Sequence, residues 1–433
     1  MSHHIVDTVV VGAGAAGLAA AHDLCRRGLK VAVLEARERI GGRVCTLSEP
    51  SATAPVELGA EFLHGKPDVL FARLQNAGLT VHEVEGDTFT RVGHATKKSN
   101  EVMKAWKKIS KEMKGNGRVD QTFEAFLKKS EQPDNVKALA SQYVEGFHAA
   151  HRDQVSVNSL VIENEAADRI QGEKLFRIDK GYGALMQWYA DQSQALIRLR
   201  AWVRALHWVK QRVRVEFTGE TSSVLDTVSA RAALITVALP LLQDQEAEAS
   251  IRFDPEIPTI RMAARRLAMG QAVRISLSFS EPIWSSLSKK LGFLFSHESA
   301  FPTWWTSLPG DTNRITGWAG GPRAERLPAH PDVLLTAAIH SLSQILGVTE
   351  SRVKQALRSH SFHDWSRDPF SLGAYTYTPV YRFGARMELT VPVQETLFFA
   401  GEATNTTGDH GTVHGAVESG LRAARQIAEV LSS

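Results

Sequence analysis

The residues with the clearest chemical potential are Gly12, Ala13, Gly14, Ala15, Ala16 and Gly17, which have the spacing G-x-G-x-x-G. Gly12 permits a tight turn, Gly14 lets backbone approach a pyrophosphate, and Gly17 lets a helix pack closely on the preceding strand. A helix opening at Ala15 and Ala16 would present unpaired N–H groups and its dipole to that anion. Glu35 ends the next apolar run, where a carboxylate accepts both hydroxyls of a ribose and repels a 2′-phosphate. These residues predict a bound dinucleotide other than NADP. Beyond them come Ala36 and Arg37, then Gly41, Gly42 and Arg43, where two arginine forks can meet phosphate oxygens. Asp409, His410 and His414 have metal-ligand residue types. They sit among glycines in a turn, with no regular element to hold ligand geometry, so no metal site is expected.

Particular elements must position these groups. Residues 6–11 form a β-branched run suited to a strand buried on both faces. Residues 18–28 are helical in pattern, with Gly28 as a stop, and 30–34 form a second strand. From about 68 to 191 the pattern is mostly helical, with helices at 100–113, 121–129 and 135–147 and a loop marked by Gly115 and Gly117. The basic stretch 104–114 reads as the solvated face of one of these helices. Strands return between 197 and 242, where Val213, Val215 and Phe217 alternate with Arg214 and Glu216, and where 232–238 is an apolar run closed by Pro240. A strand at 272–279, a helix at 332–346, a last strand at 397–400 and a helix at 416–431 follow. Because the nucleotide signals lie at both ends, the expected fold is α/β with a discontinuous Rossmann-like domain. We assign that domain to 1–75, 190–250 and 385–433. An inserted substrate domain with a mixed sheet takes 76–189 and 251–384, with a helical part at about 95–170.

Bulk properties exclude several classes. Lys plus Arg number 50 and Asp plus Glu 47, a formal charge of +3, so no strong field calls for nucleic acid or an anionic membrane. The two cysteines, Cys25 and Cys45, rule out a disulfide framework and a CxxC site, which fits a reduced, cytoplasmic setting. The apolar start of the chain is broken by glycines and followed at once by Asp23, Arg26 and Arg27, unlike a signal peptide. No run is long and apolar enough to predict a membrane span.

Further segments carry a resemblance. Glu35-Ala36-Arg37 with Gly41-Gly42-Arg43 resembles the segment after the ribose-binding acid in FAD proteins of the glutathione reductase and amine oxidase type. Glu57-Leu58-Gly59-Ala60 and Phe62-Leu63-His64-Gly65, with Glu61 between them, look like the next motif of the flavin-containing amine oxidases, the polyamine and monoamine oxidase family. Val203 and Ala238 match positions near the adenine. Gly401-Glu402 and Gly411-Thr412-Val413 resemble the family's closing motif, in which the acid binds FAD and a helix N-terminus faces the flavin pyrimidine. Trp365 and Tyr375 match residues lining the substrate cavity, and His64 matches a substrate-facing His of some polyamine oxidases. The resemblance covers nearly the whole chain and is thinnest from Thr90 to Arg177.

Three departures bear on function. The family's usual Lys, linked through water to flavin N5, is replaced by Arg274, which strand alternation turns to the face opposite Val273 and Ile275. Ala374 stands where monoamine oxidases attach flavin to Cys, so the resemblance implies non-covalent FAD. Thr412 replaces one of two caging aromatics. The resemblance implies an amine oxidase that passes hydride from a C–H beside nitrogen to flavin N5, with O2 as acceptor. Arg274, Trp365, Tyr375 and His64 are the catalytic candidates, and the enzyme is a monomer or homodimer. Alternatives are a flavin-dependent desaturase of a non-amine substrate and a flavoprotein that lost its chemistry and acts as a binding partner.

Overall fold

The computed structural model describes residues 4–47, 55–115, 119–219, 225–310 and 313–432. Two large sheets organise them. In the first, the strands Leu196–Arg198, Val31–Leu34, His4–Val11, Leu225–Ile235 and Leu397–Phe399 run parallel in that order. The β-branched first strand sits at the centre, as its apolar run predicts, with Val9 and Val10 fully buried. The long strand Leu225–Ile235 divides its pairing. Its second half holds Leu397–Phe399, and its first half holds Arg212–Thr218 antiparallel, extending the sheet through Trp202–Val209 to Arg252–Asp254. The helices Ala15–Arg26 and Val413–Ser432 pack against each other over one face, with Leu18, Leu24, Val417 and Ile427 in a shared core.

The second sheet has the order Leu357–Asp364, Ala272–Phe279, Arg314–Gly320, Thr303–Thr306, Leu291–Ser296, Asp87–Val92, Ala95–Lys98. It is antiparallel except where Asp87–Val92 pairs parallel with Leu291–Ser296. The helix Pro331–Leu346 covers one face with its apolar side, including Leu334, Ala338, Leu342 and Ile345. Among the described residues no single helix is long and apolar enough to cross a membrane.

The helical expectation for 68–191 fails in two places. Residues 81–98 contribute the strands Val81–Glu83, Asp87–Val92 and Ala95–Lys98, and Leu175–Ile178 is a strand, so the helical part begins at Glu101 and not at 95. These short strands are half exposed, and all but Ala95–Lys98 pair with partners far along the chain, which local pattern does not show. The helices Glu101–Lys114, Phe123–Lys129, Asp134–Phe147 and Val157–Arg169 do form, with Trp106, Phe123, Leu139 and Leu160 facing one core. In the first of them Lys104, Lys107, Lys108 and Lys111 stay on the outer side. Gly117 lies outside the described residues. The first helix starts at Ala15, earlier than the pattern suggests, and the last at Val413.

Candidate active site

The dinucleotide turn is built by strand, glycine and helix acting together. The first strand ends at Gly12, whose φ of +104° is a conformation that L side chains rarely adopt. A Cβ on Gly17 would lie 2.0 Å from Gly12 O, so Gly17 is needed for packing and is not a contact residue. The helix Ala15–Arg26 has no side-chain cap and no acid in its first turn, which leaves its N-terminal N–H groups and dipole open to an anion. Glu35 is 3% exposed, and each of its oxygens accepts one backbone N–H, from Ala13 at 2.8 Å and Arg37 at 2.9 Å. Each oxygen keeps a lone pair for a hydroxyl.

A cavity of about 480 Å³ runs from this turn to the second sheet. Gly12, Gly14, Ala15, Ala16, Glu35, Ala36, Arg37, Gly42, Arg43, Gly59, Ala60, Glu61, Phe62, Val203, Ala238, Trp365, Gly401, Glu402, Gly411, Thr412 and Val413 all border it, as do His64, Arg274 and Tyr375. Gly17 is the exception. The arrangement fits an elongated dinucleotide: an uncapped helix start and a buried ribose-type acid at one end, a second helix start at Thr412 and Val413 further along. The two arginines expected at phosphate border the cavity, but both are engaged by protein. Arg37 donates to Asp368 at 2.5 Å and Ser371 at 2.9 Å, and Arg43 to Ala374 O at 2.7 Å and Glu402 at 2.9 Å.

Glu402 is a buried junction. Besides Arg43 it accepts from Thr376 Oγ1 at 2.7 Å and Gly411 N at 2.9 Å. Burial pushes its carboxyl up, but Arg43 and Arg386 outweigh this and hold it below the usual range. Tyr375 lies beside Gly411 and donates to Phe147 O at 2.6 Å. Trp365 is 4% exposed, donates to Leu58 O at 2.9 Å and packs on His363, so core packing and cavity lining coincide in one side chain.

Arg274 is not a solvent-facing edge residue. Its strand is flanked on both sides, and the residue is 2% exposed. Its fork donates to Gly59 O at 2.8 Å and Glu61 Oε2 at 2.6 Å, and its Nε has no acceptor among the described residues. Glu61 also accepts from Arg177 Nε at 2.8 Å and Trp305 at 3.0 Å. Burial raises the Glu61 carboxyl, and Arg177 and Arg274 overcome that, holding it below the usual range. His64 lies on the cavity wall with its side chain accessible from that space. Desolvation, aided by the charges of His414 and His148, pushes it down to about 4, so it is neutral.

The sequence reading missed Tyr143, Phe147, His148, Glu163, Phe293, Trp305 and Trp318, which wall the same cavity. For Glu163 a signal existed: it lies one turn from Leu160 on the buried side of the helix Val157–Arg169. Asp409, His410 and His414 hold no metal-type cluster among the described residues. His414 lies on the last helix, contrary to the expectation of a turn, and pairs with Asp409 at 3.2 Å.

Comparison with known proteins agrees with this geometry. The family model for flavin containing amine oxidoreductases matches residues 15–428. Polyamine oxidase 3 of Oryza sativa subsp. japonica is 28% identical, with 98% of this chain and 89% of that protein covered. The structure of wild-type putrescine oxidase bound to putrescine superposes with a TM-score of 0.81 at 20% identity, covering all of both chains. Cyclohexylamine oxidase from Brevibacterium oxydans IH-35A gives 0.82 at 22%, covering 99% of this chain and 100% of that one. At such identities the structures speak for the fold. The expected α/β architecture therefore stands, and the chain belongs to the flavin-containing amine oxidoreductase family, as an FAD-dependent oxidoreductase.

Proposed function

We propose that the protein oxidises compact, largely apolar amines carrying a single positive charge, with O2 as electron acceptor. The observation that carries this reading is the wall of the cavity beyond Gly59. It is made of Phe62, Tyr143, Phe147, Phe293, Trp305, Trp318 and Tyr375, and the nearby carboxylates Glu61 and Glu163 already have arginine or imidazole partners. Aromatic faces suit one ammonium group and an apolar body. A polyamine needs further unpaired acids for its other ammonium groups.

Bound FAD supplies the hydride acceptor. The Glu35 carboxylate and the helix starting at Ala15 would hold its ribose and pyrophosphate, and Val203 and Ala238 would flank its adenine. Glu402 ties Arg43, Thr376 and Gly411 into one rigid seat, and the helix start at Thr412 and Val413 favours negative charge beside it. Arg274 Nε, a buried donor without an acceptor among the described residues, would be free to hold a water beside bound FAD. The fork of Arg274 is already engaged by Glu61 and Gly59, which argues against its binding a substrate carboxylate. His64, Trp365 and Tyr375 shape the space for the amine. On this reading 1–75, 190–250 and 385–433 form the FAD-binding unit. The first sheet supports it by drawing its strands from the segments 4–34, 196–235 and 397–399, with Arg252–Asp254 added just beyond the assigned boundary.

The test is anaerobic flavin bleaching with benzylamine, cyclohexylamine, putrescine, spermidine and several amino acids, followed by peroxide measurement on admitting air. Bleaching by the two monoamines at low concentration supports the reading. Preferential bleaching by spermidine or putrescine, or none by any amine, removes it.

A further inference from the structure

An aliphatic amine with a pKa of about 10 enters as its ammonium ion at neutral pH. Hydride cannot leave a carbon beside a full positive charge without building a second one, so the ammonium must lose a proton first. Most titratable groups on the cavity wall are poor acceptors. Arg274 has no lone pair to offer. Glu61 and Glu402 are locked by arginines, and Asp409 is paired with His414. Tyr143 and Tyr375 are acids pushed upward by burial. His64 is pushed down to about 4 by desolvation, which makes it a weak base.

His148 differs on four independent counts. Its Nδ1 lies 2.9 Å from Glu163 Oε2, which places the proton on Nδ1 and leaves the lone pair on Nε2. That Nε2 has no protein partner among the described residues, and the residue borders the cavity. The ring is held by Trp106 and Tyr143, whose centroids lie 5.6 and 5.7 Å away. His148 is also the C-terminal cap of the helix Asp134–Phe147, where the dipole favours a cation.

Glu163 is organised to stay charged. Ser159 Oγ donates to its Oε1 at 2.9 Å. His410 Nε2 stands 3.0 Å from the same oxygen, close enough for charge pairing though off hydrogen-bond alignment. Burial opposes the charge, but His410 and His148 prevail and hold the carboxyl well below its usual range. The carboxylate therefore links three elements: the end of one helix, the inner face of the helix Val157–Arg169, and the turn before the last helix.

Resting on the amine oxidase reading above, we infer that His148 Nε2 is the base that deprotonates the incoming ammonium, with Glu163 as its positioning residue. The step is balanced: one N–H bond of R–CH2–NH3+ breaks, its electron pair stays on nitrogen, and the proton forms an N–H bond at Nε2. The products are the neutral amine and an imidazolium facing Glu163. The other charged or titratable groups around this ring are His410 on the turn, His64 on the strand Leu63–His64, Tyr143 on its own helix, and Arg386, which acts on Glu163 through space.

The experiment measures anaerobic flavin reduction by benzylamine from pH 6 to 10 in the holoenzyme, the His148→Asn variant and the Glu163→Gln variant. In the wild type the rate falls at low pH as His148 takes up a solution proton. In His148→Asn the rate at pH 7 drops about 100-fold, the lower range for a general base, then climbs tenfold per pH unit toward the wild-type rate as solution supplies neutral amine. In Glu163→Gln the low-pH limb moves to lower pH by about one unit, because the imidazolium loses its counter-charge. A readout independent of turnover is 15N NMR of histidine-labelled holoenzyme, in which one ring shows protonated Nδ1 and bare Nε2, and disappears in His148→Asn. If wild-type flavin bleaches but His148→Asn keeps the wild-type profile, or loses rate equally at every pH, the base assignment is wrong while the amine oxidase reading stands. An Nε2-protonated tautomer overturns the assignment whatever the kinetics. If no amine bleaches the wild-type flavin, both readings fall.

Discussion

Removing the Glu61 carboxylate tests the charge balance beside the cofactor seat. Glu61→Gln keeps the shape but leaves Arg274 and Arg177 facing each other with no anion between them. Arg274 is 2% exposed, and both guanidiniums are aimed at this one carboxylate, at 2.6 and 2.7 Å. Stranding a buried charge costs about 3–5 kcal/mol. Arg274→Met is milder, because Glu61 keeps Arg177 and Trp305. The loss is one set of charged hydrogen bonds, roughly 1.5–3 kcal/mol. The double variant should cost less than the sum by about 1–3 kcal/mol, since removing Arg274 relieves the repulsion that Glu61→Gln creates. Urea unfolding at pH 7, followed by flavin fluorescence and circular dichroism, measures all four proteins. The pH dependence adds a sign. The folded carboxyl is depressed, so its contribution is present above the unfolded value of about 4.3 and is lost as pH falls through the lower folded value. The gap between wild type and Glu61→Gln therefore narrows in acid. If Arg274→Met proves costlier than Glu61→Gln, or the two effects simply add, Glu61 is not the group that organises this cluster.

Three further outcomes follow from the same contacts. Acid precipitation should release the flavin into solution, because Ala374 offers no attachment atom; flavin retained in the pellet contradicts this. Glu35→Ala should yield folded protein depleted of FAD, since two charge-assisted hydrogen bonds at roughly 1.5–3 kcal/mol each are lost; full flavin absorbance in the purified variant removes Glu35 from the site. Burial pushes the Glu57 carboxyl up to about 7, against hydrogen bonds from Thr46 and Tyr182 N. A raised acid destabilises the fold progressively as pH climbs from its unfolded value to 7. Glu57→Gln should therefore gain on wild type between pH 5 and 8, by up to roughly 3 kcal/mol, and a constant difference across that range refutes it.

What the sequence by itself determined is local in the chain. The strand, glycine turn, helix and acid from His4 to Glu35 are consecutive, and their spacing carries their function, so the nucleotide end was legible from residue types and spacing alone. Gly401-Glu402 and the helix start near Thr412 were legible only through the family resemblance, since the residue pattern alone began that helix at 416 and it begins at Val413. Ala374 already pointed to a non-covalent flavin. Arg274 was legible as an odd residue, but not what it does. Alternation predicted a face, and only the flanking strands Arg314–Gly320 and Leu357–Asp364 show that the face is buried and shared with Glu61 and Arg177. The cluster of His148, Glu163 and His410 likewise joins two helices and a distant turn. The strand Asp87–Val92 went unread because its partner, Leu291–Ser296, lies far along the chain. Periodicity reports which side of an element is apolar. It does not report which elements meet, and a charge on an inward face acquires its partner, its protonation and its chemistry only when they do.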